Sequence, residues 1–322
     1  MAQLSLRHAS LARSAAGSLP GGHPIQRQVS SSRAKIDLLP YLALIFGVAA
    51  MASSAIFVKL ADAPGPVFGF YRMALAVTVS AIPVGMQARR HLGVSQRHLR
   101  MALLGGLFLA LDLWVWNNAV LMTSAANATL FGNTSVFWVA VGSVVLFHER
   151  LRSAFWLGLL LALGGVLVIL GQDFFVHPTI GIGDLLSILG GLFYGAFFLA
   201  AARAREGLNA VISWWTSSLA SAVVLLVISL GLSLPLFGYS VQTYLCVLGA
   251  GLLTQMGGYL AVNFALGRIP ASIVSPTLLA QPVFTAIPAM FLLGQPITVS
   301  QITGGALILG GIFIVHRSNQ KR

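Results

Sequence analysis

A single carboxyl interrupts a long apolar stretch of this sequence: Asp112, set in Leu109-Ala110-Leu111-Asp112-Leu113-Trp114. At the centre of a membrane-spanning helix an acid costs about 2.5–3.5 kcal/mol on insertion scales, so it is expected to face a cavity or a partner. There it could hold a cationic group on a cargo or exchange a proton, because a carboxyl withdrawn from water is expensive to keep charged. The structural alternative is a fixed pair with Arg72, or a hydrogen bond to Asn263 or Gln281. Arg72 could in turn attract an anionic group such as a carboxylate. Equally, its long stem could snorkel to the interface and anchor the short loop holding Asp62.

At i, i+4 spacing Trp116 shares a helix face with Asp112, and Asn117 lies on the face beside it. A later stretch mirrors this, with Gly251, Gln255 and Gly258 on one stripe and Tyr259 and Asn263 alongside. Small residues let helices approach closely in lipid, so the glycines read as packing contacts. Trp116, Asn117, Tyr259 and Asn263 are candidates to line a wet cavity that would suit an amphipathic organic cargo. Asn127 and Gln281 bring amides to the middle of two further apolar stretches. Pro276 and Pro282 interrupt the second of these, and the carbonyls they free need a neighbour or cavity water, which makes that stretch a gate or a static kink.

Other chemistry finds little support. Asp112 is the only acid in mid-stretch, and the seven histidines stand in the tail, in loops or at helix ends. No pair of acids, Ser-His dyad or ligand cluster is present for acid–base, nucleophilic or metal catalysis. The lone Cys246 can form neither an intrachain disulfide nor a multi-cysteine metal site. No G-x-x-x-x-G-K-[ST] loop exists for ATP-driven pumping. The chain is therefore not expected to be an enzyme, and no cofactor or metal is expected.

The elements that must position these residues are membrane helices. The chain has 322 residues, 57% hydrophobic and 8% charged, with mean hydropathy +0.88; soluble domains carry about 25% charge. Apolar stretches of spanning length fall at 39–61, 66–86, 99–121, 124–147, 153–171, 181–202, 210–230, 241–266, 271–293 and 300–315, which makes ten. Seventeen of the nineteen basic residues lie on one side of this topology, only Lys59 lies toward the other, and Arg72 falls within a span. The net charge of +12 is thus a topology signal rather than a nucleic-acid footprint. By the tendency of cytoplasmic loops to collect Lys and Arg, both termini are expected in the cytoplasm, and the setting is expected to be a bacterial inner membrane. Residues 1–38 read as a disordered basic tail, with an organellar transit peptide as the alternative.

Shifting the chain by 146 residues superposes Leu157-Gly158 on Thr303-Gly304, Gly164-Gly165 on Gly310-Gly311, Asn117 on Asn263, Gly105 on Gly251 and Glu149 on Gln295. Each half holds five spans, an odd number, so the second copy enters the membrane from the opposite side. Inverted repeats of this kind typify secondary transporters, in which the halves rock around one midplane site.

The run Phe147-His148-Glu149-Arg150-Leu151, followed by Trp156-Leu157-Gly158 and Gly164-Gly165, resembles the repeat signature of the EamA-type transporters of the drug/metabolite transporter superfamily. Gln281-Pro282-Val283-Phe284 through Leu293-Gly294-Gln295-Pro296 to Gly310-Gly311 is similar to it again. The resemblance covers the chain after residue 38. It implies an all-α permease of ten helices in two five-helix repeats, 39–171 and 181–316, followed by a short basic terminus, 317–322. Gln295 departs from the Glu usual at its position in the second repeat, and Val136 stands where the second repeat has Pro282. The family moves amino acids, metabolites and drugs, so the expected partners are a small-molecule substrate and the lipid bilayer. Export by alternating access is the leading expectation, with an importer, a channel or a structural bundle as alternatives. The glycine-rich fifth and tenth spans are expected to be scaffold or the face of a homodimer.

Overall fold

The computed structural model describes residues 38–88, 95–123, 125–176, 181–284, 286 and 298–319. They are helical, with no strand among them. Nine helices of the described residues are long and apolar enough to cross a membrane. In chain order these are α1 Leu39–Leu60, α2 Gly65–Ala88, α3 Gln96–Met122, α4 Asn127–Phe147, α5 Ser153–Val176, α6 Ile182–Arg205, α7 Ala210–Gly231, α8 Val241–Leu266 and, last, α10 Val299–Asn319. Between the last two lies the shorter apolar helix α9, Ala271–Phe284. The ninth expected span, 271–293, is therefore seen only in its first part, and 287–293 lie outside the described residues. The tail 1–37 lies outside them too. Helices α5 and α10 run past their expected ends at 171 and 315, because residues such as Gln172 and Arg317 end an apolar stretch without breaking a helix.

Local chemistry sets several helix ends. Asn209 caps α7 by accepting from Ile212 N at 2.9 Å, and Ser240 caps α8 by accepting from Thr243 N at 3.2 Å. Asp184 accepts from Gly181 N at 2.9 Å and from Thr123 Oγ1 at 2.9 Å, which caps α6 and ties it to the end of α3. Polarity is inverted relative to a soluble protein. Ile82, Leu160 and Phe313 are exposed, whereas Arg72, Asn117, Gln255 and the α7 serines 213, 217, 218 and 221 are buried. Those serines let α7 come close to α3: Ser217 Oγ donates to Ala102 O at 2.8 Å and Ser221 Oγ to Gly106 O at 2.7 Å.

Glycines join α5 to α10. A Cβ on Gly158 would stand 2.7 Å from Gly311 O, and one on Gly165 would stand 2.5 Å from Gly304 O; the converse contacts from Gly311 and Gly304 are equally close. Shifted by 146 residues, Gly158 becomes Gly304 and Gly165 becomes Gly311, so each contact recurs with its partners exchanged, as in an antiparallel pair. Two other seams correspond, with an offset of 146 residues between their α3 and α8 partners and of 143 between their glycines. Gly47 of α1 packs on Gly258 and Val262 of α8, and Gly190 of α6 packs on Asp112 and Trp116 of α3.

One alignment read from the sequence is corrected. Gly106, not Gly105, is the counterpart of Gly251: a Cβ on Gly106 would meet Ser217 O and Ala220, and one on Gly251 would meet Arg72 O and Leu75. The offset is 145 residues here and 146 further along. The physical reason is a π-helical stretch in α8, Ala250–Tyr259, which absorbs one extra residue into the helix.

Candidate functional site

Four helices lose their α-helical ladder beside one cavity. In α1 the break lies at Ala52–Ser53, where Ser53 Oγ donates to Ala50 O at 2.7 Å. In α4 it lies at Asn133–Thr134, where Thr134 N donates to Phe131 O at 3.1 Å, an i→i−3 bond. In α8 it is the π-helical stretch. In α9 it is a 3₁₀ turn, Leu278–Ala280, between Pro276 and Pro282, which cannot donate to the ladder. Irregular backbone at membrane depth persists where protein or a cavity satisfies it, and here all four breaks meet around one cavity of about 90 Å³.

Met51 and Ser54 line this cavity from α1, Thr129, Asn133 and Ser135 from α4, Thr254 and Tyr259 from α8, and Leu278 and Gln281 from α9. The regular helices α3 and α6 complete it with Asp112, Trp116 and Tyr194. Gly190 leaves room for the acid, since a Cβ there would stand 3.4 Å from Asp112 Oδ1. Tyr194 meets the ring of Tyr259 edge-on at 6.4 Å.

Arg72 lies one layer behind this wall and is fully buried. The expected snorkelling, and the anchoring of Asp62, are corrected: α8 and α1 cover Arg72, and Asp62 instead donates its backbone N–H to Thr243 Oγ1 at 2.9 Å. Arg72 Nη1 donates to Ser54 Oγ at 3.1 Å and Nη2 to Gln255 Oε1 at 3.3 Å, and its guanidinium stands 5.8 Å from the centroid of the Tyr259 ring. Its Nε has no hydrogen-bond partner. All these partners are neutral. The direct Arg72–Asp112 pair is also absent, and the ion pair found among the described residues, Arg203–Glu206 at 2.7 Å, lies elsewhere.

The other residues singled out from the sequence divide. Asp112, Trp116, Tyr259 and Gln281 come together in the cavity, and Pro276 and Pro282 flank the α9 turn beside it. Asn117, Asn127 and Asn263 are buried but not in its lining. Asn117 Nδ2 donates to Gly65 O at 2.9 Å, joining α3 to the start of α2. The backbone carbonyl of Asn263 accepts from Arg205 Nε at 2.9 Å. Asn117 thus turns toward a neighbouring helix end, which a wheel drawn on one helix does not show, whereas Asn263 makes its contact through the backbone.

Ser54 and Thr254 were not among the candidates, and Tyr194 was one of several aromatics able to stack on a cargo that were set behind Trp116 and Tyr259. Tyr194 is one aromatic among many in apolar spans, and Ser54 is visible only as part of the Ser53-Ser54 step inside α1. Trp214 and Trp215 are donors within the bundle. Trp214 Nε1 donates to Gln255 O, on the π-helical stretch, at 3.0 Å, and Trp215 Nε1 to Val77 O at 3.1 Å.

The profile of the EamA-like transporter family matches residues 38–171 and again 181–317. An uncharacterized transporter of Methanothermobacter thermautotrophicus is 25% identical over 60% of this chain and 57% of its own length. The uncharacterized transporter YdfC of Bacillus subtilis is 25% identical over 60% of this chain and 63% of its own. The chain thus spans less than two thirds of the length of these relatives. A solved crystal structure superposes with a TM-score of 0.72 at 18% identity, covering 88% of this chain and 98% of that one, which speaks to the fold alone.

Proposed function

The chain belongs to the EamA-like transporter family, and on that premise we propose that it is a secondary active permease that exports amino acids or related small metabolites by alternating access. The observation that carries this reading is the meeting of four broken helices around a cavity with one acidic side chain, Asp112, in its wall. Two chemical poles recommend a cargo bearing both charges. Asp112 would hold an ammonium group, with Trp116, Tyr194 and Tyr259 offering ring faces to the cation. Arg72, buried among neutral partners, would draw a carboxylate toward the Ser54 and Tyr259 side.

In this reading the two family repeats are inverted copies of five helices each, and both ends of the chain lie in the cytoplasm of a bacterial inner membrane. The exchanged glycine contacts of α5 and α10 support the inversion, because only an antiparallel two-fold relation swaps partners in that way. Those glycines face one another within the chain, which favours their role as scaffold over a homodimer face. The cavity, at about 90 Å³, is far smaller than the ~300–1,000 Å³ of ordinary ligand pockets, so the cycle must include a wider state. The charged groups lie in one half only. The counterpart of Asp112 is Gly258 and that of Arg72 is Ser217, so the cargo would stay with α2 and α3 while the second half moves.

The test is mass spectrometry of small molecules in the medium of cells expressing the intact protein or Asp112→Asn at matched membrane levels. Accumulation of particular amino acids or metabolites with the intact protein alone is expected. Profiles equal to an empty-vector control, together with no uptake into proteoliposomes, would sink the permease reading in favour of a structural bundle. Flux without saturable counterflow would favour a channel.

A further inference from the structure

One contact between the halves lies away from the cavity, where α4 ends, beside Arg150 and Arg152. Helix α4 stops there because His148 adopts a left-handed conformation, φ 55°, and Glu149 N folds back onto Ser143 O at 3.1 Å. Non-glycine residues seldom occupy this region, and His is among the few enriched in it. The turn sends the Glu149 side chain across to the first turn of α9, where Ser272 Oγ donates to Glu149 Oε2 at 2.5 Å. Ser272 is buried, and a helix N-terminus favours a carboxylate beside it. A void of about 20 Å³ lies against Glu149, Phe155, Ile273 and Ser318, enough for a single water.

The helices joined by this bond are two of the four broken ones around the cavity, one from each repeat. The repeat-equivalent positions in the sequence are differently equipped. The 146-residue shift carries Glu149 to Gln295, and carries Ser272 back to Ala126. An alanine has no hydroxyl to donate and a glutamine has no charge, so the sequence supplies no counterpart of this bond.

We propose that Glu149 and Ser272 form a one-sided latch, holding α4 against α9 at the arginine-rich end and biasing the molecule toward states closed at that end. The inference rests on the alternating-access reading. Opening this end requires the Ser272–Glu149 bond to break, and the adjacent void gives the released carboxylate a place to meet water. The latch sets how often the end opens and leaves cargo recognition to the cavity.

The test uses the full chain in nanodiscs, with Cys246→Ala as background and spin labels on cysteines replacing Arg150 and Arg268. Pulsed electron–electron distances report the separation of the α4 and α9 ends without any cargo. In both Ser272→Ala and Glu149→Gln the fraction of the longer distance is expected to rise at least threefold over the parent. Superimposable distributions in the parent and both variants, each monodisperse, would overturn the latch. If the distances respond but no cargo is moved by the parent, the latch stands and the permease reading falls.

Discussion

Arg72 and Gln255 are hydrogen-bonded across the two repeats, Nη2 to Oε1 at 3.3 Å, with both side chains fully buried. Gln255 reaches Arg72 from the π-helical stretch of α8 while its Nε2 donates to Ser218 Oγ at 3.1 Å and its carbonyl accepts from Trp214. A guanidinium buried among neutral acceptors retains most of the penalty of leaving water, which a counter-charge would offset. In the proposed cycle that counter-charge comes from the cargo.

Gln255→Glu should supply the charge permanently. A carboxylate at the same reach would pair with Arg72, so the thermal unfolding midpoint in detergent is expected to rise while transport falls at least tenfold. A raised midpoint with undiminished flux would show that Arg72 has no part in cargo binding.

Asp112→Asn keeps the shape of the side chain and removes its charge. Insertion and midpoint should be nearly unchanged, because Gly190 leaves the same space, whereas flux of the exported compound is expected to drop at least tenfold. Normal flux across pH in this variant would remove Asp112 from the mechanism.

The α5–α10 seam should tolerate no added atom. Gly158→Ala places a Cβ 2.7 Å from Gly311 O, and backbone on both sides leaves little room to relax, so a loss of about 1–3 kcal/mol is expected. Gly164→Ala is the matched control, since its Cβ would meet nothing within 4 Å; it should be neutral or gain up to about 1 kcal/mol from helix propensity. Reversible unfolding of both variants in the same detergent decides this.

Trp214→Phe probes the support of the π-helical stretch. It removes the Nε1 donor to Gln255 O and leaves a buried carbonyl without that partner, at a cost of about 1–3 kcal/mol. Hydrogen exchange should quicken in residues 250–259 before it does in α10. Uniform exchange across α8 and α10 would mean that the tryptophan acts only by filling space.

Much of this was legible in the residues themselves. Hydropathy and length placed the spans because lipid requires apolar stretches of a definite length. The glycine and asparagine spacings exposed the repeat, and the isolation of Asp112 marked it as a residue needing a polar environment. Asn117 was legible as a buried amide but not as a link to a helix end, because a wheel describes one helix and not the neighbour it turns toward. The one-residue slip between Gly106 and Gly251 was hidden for a related reason: nothing in Ala250-Gly251-Leu252-Leu253-Thr254 announces a wider helical turn.

What the sequence determined alone is therefore what depends on local composition and periodicity: a membrane protein of apolar helices in two similar halves, with an acid in its interior. The tertiary structure decided where the long-range partners fall. Ser54, Arg72 and Gln255 converge from α1, α2 and α8, and Glu149 meets Ser272 although 123 residues separate them. Such pairings depend on the rotation and register of each helix against its neighbours, and those are set by close glycine contacts and by the π-helical insertion, not by any property of the partners' own segments.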